Sequence, residues 1–196
     1  TSTSFDVYAP INITFELPTN LTPNDTTKYL LQEKVDTNWV DLDTEIIKED
    51  SMGLCYKIRH EWKPATEYQL IIDSALFTSF VGNVTKKDAF KIKTKSLEEY
   101  SVLIFELTNF TGKEVIQILN KDDKVIRQQP AIEAKTKFEY IKPDTYYARL
   151  FIDENGNGIW DTGKYNEKIQ PEKVYYFPYD IELRAFWDVE EIWDIN

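Results

Sequence analysis

Residues 145–152 read Thr-Tyr-Tyr-Ala-Arg-Leu-Phe-Ile, and residues 153–161 continue with Asp-Glu-Asn-Gly-Asn-Gly-Ile-Trp-Asp. The first segment is aromatic and β-branched, which is typical of a strand. The second segment is a run of Asp, Asn and Gly, the residues that favour turns. A strand that enters such a turn directly predicts a structured loop between two strands. The chain is therefore expected to be a β-protein in this region rather than a pair of helices.

Oxygen-bearing side chains recur in the loop at the spacing that calcium prefers. They occupy its first, third, fifth and ninth positions, and Gly156 lies at the sixth, where the chain must turn sharply. Hard Ca²⁺ takes oxygen ligands from alternate residues of a tightly wound loop, and the seventh residue contributes its backbone carbonyl. The predicted calcium ligands are Asp153, Asn155, Asn157, Ile159 and Asp161.

Two interpretations of the loop stay open from the sequence. An EF-hand loop would place a bidentate Glu at its twelfth position, where this chain has Lys164. The missing ligand could come from Glu167, Glu172 or a more distant carboxylate; otherwise the affinity should be weak, roughly 10⁻⁴–10⁻³ M. The alternative is a metal-free turn, because Asp, Asn and Gly favour turns without any ion.

Composition excludes several classes of partner. The chain has 196 residues, a formal net charge of −11 and a pI near 4.7. Phosphate binding requires a basic face, so nucleic acid is not expected as a partner, and neither is an anionic membrane surface. No run of about 18 apolar residues is present, so we predict no membrane insertion within this chain. The chain opens on Thr1, and we expect it to be part of a longer protein.

Cys55 is the single cysteine of the chain, so no intrachain disulfide can form. It lies in the strand-like run at residues 54–58, and we expect it to be a small buried apolar residue. His60 is the single histidine, without a second histidine for a zinc site or a nucleophile motif beside it. We expect it to be a surface or strand-end residue.

Short strands separated by turn residues predict the architecture of the first half. One short helical candidate, residues 74–80, ends at Gly82 and Asn83. A polar run at residues 93–99 predicts a domain boundary. The expected strands are residues 11–16, 28–33, 39–42, 45–49, 54–60, 67–73 and 89–94.

A second series of strands follows this boundary. Regular spacing of short strands without long helices is typical of a β-sandwich. We therefore predict an all-β chain with two tandem β-sandwich domains, residues 1–97 and 98–196. The expected strands are residues 101–107, 115–119, 125–129, 137–141, 146–152, 174–177 and 182–187.

The first half resembles the bacterial Ig-like domains of cell-envelope proteins. The residues that carry the resemblance are 9–15 (APINITF), 68–73 (YQLIID), and 75–77 leading to Gly82 and Asn83. The resemblance implies an Ig-like sandwich in an exported protein.

The second half resembles the C-terminal β-domain of uncharacterised Bacteroidetes surface lipoproteins and is similar to prealbumin-like sandwiches. The shared features are residues 143–147 (PDTYY), 151–158 (FIDENGNG) and 160–163 (WDTG). This resemblance implies a location at the cell surface or outer membrane.

The C-terminal run at residues 186–194 places four carboxylates among aromatic residues. Glycoside hydrolysis requires two facing acids at a defined separation, and acids adjacent in sequence seldom provide it. We favour an acidic tail whose tryptophans fold onto the sandwich. We therefore predict no catalytic residues, no organic cofactor and no enzymatic activity.

Aromatic residues suggest an alternative, carbohydrate binding. Alternate residues of a strand face opposite ways, so Tyr175 and Tyr176 cannot both be buried in one core. Tryptophan as a core residue is the more common case in sandwiches. The candidates for a sugar-stacking surface are Trp39, Trp62, Trp160, Trp187, Trp193, Tyr146, Tyr147, Tyr175 and Tyr176.

Five Asn-x-Thr sequences would accept glycans in a eukaryotic secreted protein, but in a bacterium they mark only turns and strands. They begin at Asn12, Asn20, Asn24, Asn83 and Asn109.

The function predicted from the sequence is a non-catalytic structural or interaction module of an exported bacterial surface protein, with calcium as a candidate stabiliser. Its partner would be an unidentified protein or glycan, and the alternative function is a carbohydrate-binding module.

Overall fold

The structure is a computed structural model that describes residues 3–21 and 28–196. The chain divides into two compact units, Thr1–Ser96 and Leu97–Asn196. The described residues form strands and short 3₁₀ helices at Leu97–Glu99 and Tyr165–Glu167, and they contain no α-helix. Within the same ranges, no helix is long and apolar enough to cross a bilayer. The prediction of an all-β fold is confirmed.

The first unit contains short strands that are joined by turns. In chain order they are β1 (Thr3–Phe5), β2 (Ile11–Thr14), β3 (Thr19–Leu21), β4 (Tyr29–Val35), β5 (Asn38–Leu42), β6 (Ile46–Lys48), β7 (Cys55–Ile58), β8 (Glu67–Ile72), β9 (Phe77–Ser79) and β10 (Asp88–Thr94).

The described strands of this unit form a sandwich. One sheet has the order β1-β10-β8-β4-β5, a second has the order β2-β7-β6, and β3 pairs with β9. Tyr68 and Leu70 of β8 pack in the same core as Tyr56 and Ile58 of β7, so the two larger sheets face each other. Strict alternation in β7 and β8 turns these residues inward.

The second unit is built in the same way. Its strands are β11 (Ser101–Thr108), β12 (Glu114–Leu119), β13 (Val125–Pro130), β14 (Lys135–Ile141), β15 (Asp144–Ile152), β16 (Val174–Tyr176), β17 (Ile181–Leu183) and β18 (Asp188–Asp194).

Two sheets enclose the core of the second unit. One has the order β14-β11-β18 and the other has the order β13-β12-β15-β16, with β17 also paired to β15. Leu103 and Phe105 of β11 pack in one cluster with Ile116 of β12 and Leu150 of β15, which are fully buried. The core therefore lies between the sheets, and β15 reaches from it to the loop at residues 153–161.

The helix predicted at residues 74–80 is wrong. The segment contains β9, which pairs with β3 so that Phe77 lies opposite Leu21. Ala75 has φ +58°, a left-handed conformation that interrupts a helix. The Asn-x-Thr sequence that begins at Asn24 lies outside the described residues.

The expected acidic tail is a strand. β18 pairs in parallel with β11, and Trp193 is 2% exposed in the core. Trp187, in contrast, remains half-exposed before the strand begins. Cys55 is also only partly buried, because its strand neighbours Tyr56 and Ile58 take the inward positions.

Candidate functional site

The outer face of the β13-β12-β15-β16 sheet takes its side chains from the alternation of β15. Ala148 and Leu150 are buried in the core between the sheets. Successive residues of a strand point to opposite faces, so Tyr147, Arg149 and Phe151 belong to the outer face. This face lies next to the loop at residues 153–161.

A row of polar residues crosses this outer face. The strand register places Gln117 opposite both Gln128 and Arg149, and it places Arg149 opposite Tyr176. Arg149 Nε donates to Gln117 Oε1 at 2.6 Å, and Gln117 Nε2 donates to Gln128 Oε1 at 2.6 Å. Gln128 Nε2 then donates to the carbonyl oxygen of Gly158 at 2.7 Å. The row therefore connects Arg149 to the loop.

A cavity of about 140 Å³ opens at the centre of this face. Phe151 is buried at its base, whereas Trp160 is 42% exposed and Tyr176 is 64% exposed. The cavity combines aromatic and apolar walls with a few polar groups, as small-molecule sites do. Its lining residues are Gln117, Arg149, Phe151, Trp160, Val174 and Tyr176.

The side-chain carboxylate of Asp153 organises the loop by binding the backbone amides of the residues that follow. Its Oδ1 accepts hydrogen bonds from the amides of Gly156 at 2.7 Å and Asn157 at 3.2 Å, and its Oδ2 accepts from the amide of Gly158 at 2.7 Å. Gly156 and Gly158 both have φ +74°, which glycine adopts without strain. The buried carboxylate therefore fixes a tight turn directly after β15.

Glu172 holds the two ends of the loop together. Its Oε1 accepts from the amide of Glu154 at 2.8 Å, and its Oε2 accepts from the amide of Asp161 at 3.0 Å. The indole nitrogen of Trp160 donates to the Glu172 carbonyl oxygen at 2.9 Å. These contacts orient Trp160 beside the cavity. Glu172 is also one of the acids from which the missing calcium ligand could come.

Three of the predicted calcium ligands converge. The amide nitrogens of Asn155 and Asn157 lie 2.5 and 2.8 Å from Asp161 Oδ2. Rotation of each amide by 180° would direct its oxygen to the same place, but these oxygens now accept from the backbone amides of Asn157 at 3.0 Å and Ile159 at 2.7 Å, so a hard cation would have to replace those hydrogen bonds. Both oxygens of Asp153 likewise bind backbone amides. Among the described residues, no three His, Cys, Asp or Glu side chains form a metal-binding group.

A second carboxylate stabilises the turn before β12. Glu114 is 1% exposed, and its oxygens accept hydrogen bonds from the hydroxyl and amide of Thr111 and from the amides of Gly112 and Lys113. Burial acts to raise the pKa of Glu114, but these hydrogen bonds favour the charged form and leave the pKa below its ordinary value. The carboxyl is therefore a charged structural group.

The structure divides the predicted aromatic candidates between core and surface. The outer face brings together Tyr147, Trp160 and Tyr176, whereas Trp187 lies elsewhere, with the guanidinium of Arg184 5.0 Å from its ring centre. Trp39 is half-buried in β5. The candidates that belong to the cores are Trp62, Tyr146, Tyr175 and Trp193.

The remaining candidates make local contacts. His60 is half-buried after β7, with its ring 5.1 Å from that of Trp62. In β18, Glu190 forms an ion pair with Lys135, and Asp194 Oδ1 accepts from the Thr108 hydroxyl at 2.8 Å. The C-terminal acids are therefore distributed along an edge strand.

Four of the Asn-x-Thr asparagines lie within the described residues, and all four are exposed. They are Asn12, Asn20, Asn83 and Asn109.

Sequence reasoning missed Arg149, Gln117 and Gln128. The alternation of β15 is sufficient to place Arg149 on the face opposite the core. The strand pairing that brings Gln117 and Gln128 beside it has no local signal in the sequence.

No protein-family profile matches the chain, and no curated protein matches it. Among solved structures, the N-terminal part of the bacterial S-layer protein SbsC is 9% identical with a TM-score of 0.39; the match covers 81% of this chain and 41% of that one. Domains MG0-NIE-MG1 of Escherichia coli alpha-2-macroglobulin are 14% identical with a TM-score of 0.39, over 90% of this chain and 69% of the other. The N-terminal four Ig domains of Dscam1 isoform 1.9 are 11% identical with a TM-score of 0.25, and the match covers 97% of this chain and 43% of the other. The functional argument therefore rests on this chain's own residues.

Proposed function

We propose that the chain is a non-catalytic structural or interaction module of an exported bacterial surface protein. The observation that supports this proposal is the use of the acids around the loop. Asp153, Glu172 and Glu114 all accept hydrogen bonds from backbone amides of neighbouring turns. Carboxylates held in this way stiffen the end of a sandwich, whereas a catalytic acid would face a substrate in a cleft. The surface location follows from the sequence resemblance, as do the Ig-like and prealbumin-like assignments of the two units.

An assay for turnover tests the non-catalytic part of the proposal. The chain is incubated with a panel of neutral and acidic polysaccharides, and new reducing ends and shortened products are measured. We expect neither. Shortened products that persist after repurification of the chain would overturn the proposal.

Calcium is the proposed stabiliser of the loop. Asn155, Asn157 and Asp161 would hold the ion with the carbonyl oxygen of Ile159, and Asp153 would anchor the turn around it. The bound ion would supply a fixed positive charge that cross-links the turn between β15 and β16. With a dissociation constant of roughly 10⁻⁴–10⁻³ M, about 1 mM Ca²⁺ adds about 0.4–1.4 kcal/mol to folding. A domain of this size then melts about 2–11 °C higher.

Calorimetry in EGTA and in about 1 mM Ca²⁺ measures this shift, with Mg²⁺ as the ion control. Asp161→Asn keeps the shape of the side chain and should remove the shift. Asp122→Asn removes an exposed charge from another loop and should retain it. Equal melting temperatures in EGTA and in Ca²⁺ would eliminate the calcium proposal.

Carbohydrate binding is the second candidate function. The specific observation that favours it is the outer face, on which Tyr147, Trp160 and Tyr176 are exposed around the polar row. Large aromatic residues grouped on an exposed face are typical of binding surfaces. A glycan array with the intact chain tests it. Binding to a specific glycan that Tyr176→Ala abolishes would place this function ahead of the purely structural one.

A further inference from the structure

Arg149 is a half-buried cation without an acidic partner. Its Nε donates to Gln117, and its guanidinium forms no ion pair with any residue that the structure describes. Several other basic side chains of this unit are paired: Lys137 lies 2.6 Å from Glu139, and Arg184 lies 3.0 Å from Glu182. Acidic residues outnumber basic ones by 34 to 23 in the chain, so an unpaired arginine inside a cavity is unexpected.

The lining of the cavity makes its electrostatic character positive. None of its lining residues is acidic, and Arg149 is the charged residue among them. Gln117 already donates to Gln128 and accepts from Arg149, so the guanidinium nitrogens beyond Nε are the charged donors that remain for a ligand. A guanidinium presents its donors in a planar fork that matches a carboxylate.

We propose that this cavity binds the carboxylate of an acidic sugar, a uronic-acid residue within a polysaccharide. The inference deepens the second candidate function and rests on it. The Arg149 fork receives the carboxylate, while Trp160 and Tyr176 at the rim contact the C–H face of the ring. An aromatic surface beside a hydrogen-bonding group suits a sugar, which has both an apolar face and polar substituents. The cavity of about 140 Å³ is smaller than a typical ligand pocket, so it receives the carboxylate and the adjacent edge of one ring, and the rest of the polysaccharide lies outside.

The negative charge of the whole chain does not prevent this binding. Charges separated by more than about 8 Å are largely screened at physiological ionic strength. The nearest contacts of the carboxylate are then with Arg149, in a partly desolvated site where charge-assisted hydrogen bonds are strong. A wider groove of the same unit, lined by Tyr100, Tyr140 and Phe186, is less suited to a carboxylate. Its lysine, Lys137, is already paired with Glu139.

Isothermal titration with polygalacturonate and with its fully methyl-esterified form tests the proposal. The two polymers share a backbone and differ in the carboxylate, so we expect the ester to bind about 10–100-fold more weakly. Arg149→Gln should weaken binding of polygalacturonate by a similar factor. Arg149→Lys, which keeps the charge without the fork, should fall between the two. Arg184→Gln removes an exposed arginine of the same unit and should bind as the unmodified chain does. Circular dichroism and melting temperature establish that each variant is folded.

The outcomes separate this inference from the carbohydrate-binding function. Equal binding of the acid and the ester would retain carbohydrate binding and overturn the carboxylate site, and binding that survives Arg149→Gln would do the same. If neither polymer binds, the carboxylate site is overturned, and the glycan array alone decides the carbohydrate-binding function. Polyglutamate serves as the peptide arm. If polyglutamate binds as tightly as polygalacturonate and depends on Arg149, the carboxylate is recognised on a peptide and the sugar assignment is wrong.

Discussion

Glu114→Gln should destabilise the second unit although it replaces only one carboxylate oxygen with an NH₂ group. In the unmodified chain, Glu114 Oε1 accepts from the amide and the hydroxyl of Thr111 at 2.9 and 2.8 Å. Its Oε2 accepts from the amides of Gly112 at 2.9 Å and Lys113 at 3.0 Å. Glutamine has one acceptor oxygen, so its NH₂ group must face one of these pairs of donors.

The geometry sets the size of the effect. Two hydrogen bonds to a charged acceptor are lost, each worth about 1.5–3 kcal/mol. Gly112 and Lys113 are exposed, so water replaces part of the loss, and we expect the lower limit of about 3 kcal/mol. For a unit of about 100 residues this corresponds to a decrease in melting temperature of about 12–24 °C.

The loss should also depend on pH. The pKa of Glu114 is below its ordinary value of 4.5 in the folded chain, so the stabilising contribution is complete above pH 4.5. It is lost as the pH falls through the folded-state pKa, where the carboxyl becomes protonated. The difference between the unmodified chain and Glu114→Gln should therefore be constant near neutral pH and decrease below pH 4.5.

Differential scanning calorimetry of the full chain from pH 7 to pH 3 measures both effects. Glu133→Gln is the matched control, because Glu133 is exposed on the same unit and its replacement removes the same charge. The control should change stability by less than about 0.5 kcal/mol. A Glu114→Gln variant within about 1 kcal/mol of the unmodified chain, or one whose deficit persists unchanged at pH 3, would refute the reasoning.

Two further pairs of substitutions test the turns and the cores. Gly53 has φ +76°, and an added Cβ would lie 2.0 Å from the Thr19 carbonyl oxygen, so Gly53→Ala should destabilise the first unit by more than about 3 kcal/mol. Gly112 has φ +88° in open space, so Gly112→Ala should cost about 1–2 kcal/mol in denaturant titrations; equal losses would contradict this account. Trp193→Ala should destabilise the second unit by about 3–5 kcal/mol. Trp187→Ala, at a half-exposed position, should change stability by less than about 1 kcal/mol in the same assay, and a comparable loss would contradict the burial argument.

The sequence predicts elements whose own side chains alternate. β8 and β15 carry buried residues at every second position, so their pattern is readable without the rest of the chain. β9 is short and lies in an apolar run between turns, where helix and strand have the same local pattern. β18 is rich in acids, and its strand conformation depends on β11, more than 80 positions earlier in the chain. Such a pairing leaves no local signal.

In the candidate site, too, contacts between residues near in sequence are predictable and contacts between distant residues are not. The turn at Asp153 is predictable because its hydrogen bonds reach residues only three to five positions away. Glu172 binds the loop from 11 and 18 positions away, and the sequence offered it only as one of several acids. Arg149 meets Gln117 across 32 positions. The absence of an acidic partner for Arg149 among the described residues is a property of the folded sheet.

Acidic and basic side chains have different roles in the second unit. Glu114, Asp153 and Glu172 bind amides that would otherwise be left without acceptors in tight turns, so their negative charge is already neutralised locally. Arg149 has donors in excess of its contacts, and the walls around it contain no acid. A cavity whose walls contain no acid and leave a cation accessible selects anionic ligands at that position, even in a chain of net charge −11. The stiff loop supports this selection: the Glu172 backbone carbonyl accepts from the Trp160 indole at the rim of the cavity, and the Glu172 carboxylate accepts from the amide of the next residue, Asp161. Glu172→Gln should therefore weaken polygalacturonate binding measurably while leaving Arg149 in place, whereas Glu133→Gln should leave binding unchanged. Unchanged binding in Glu172→Gln would show that loop and cavity act independently.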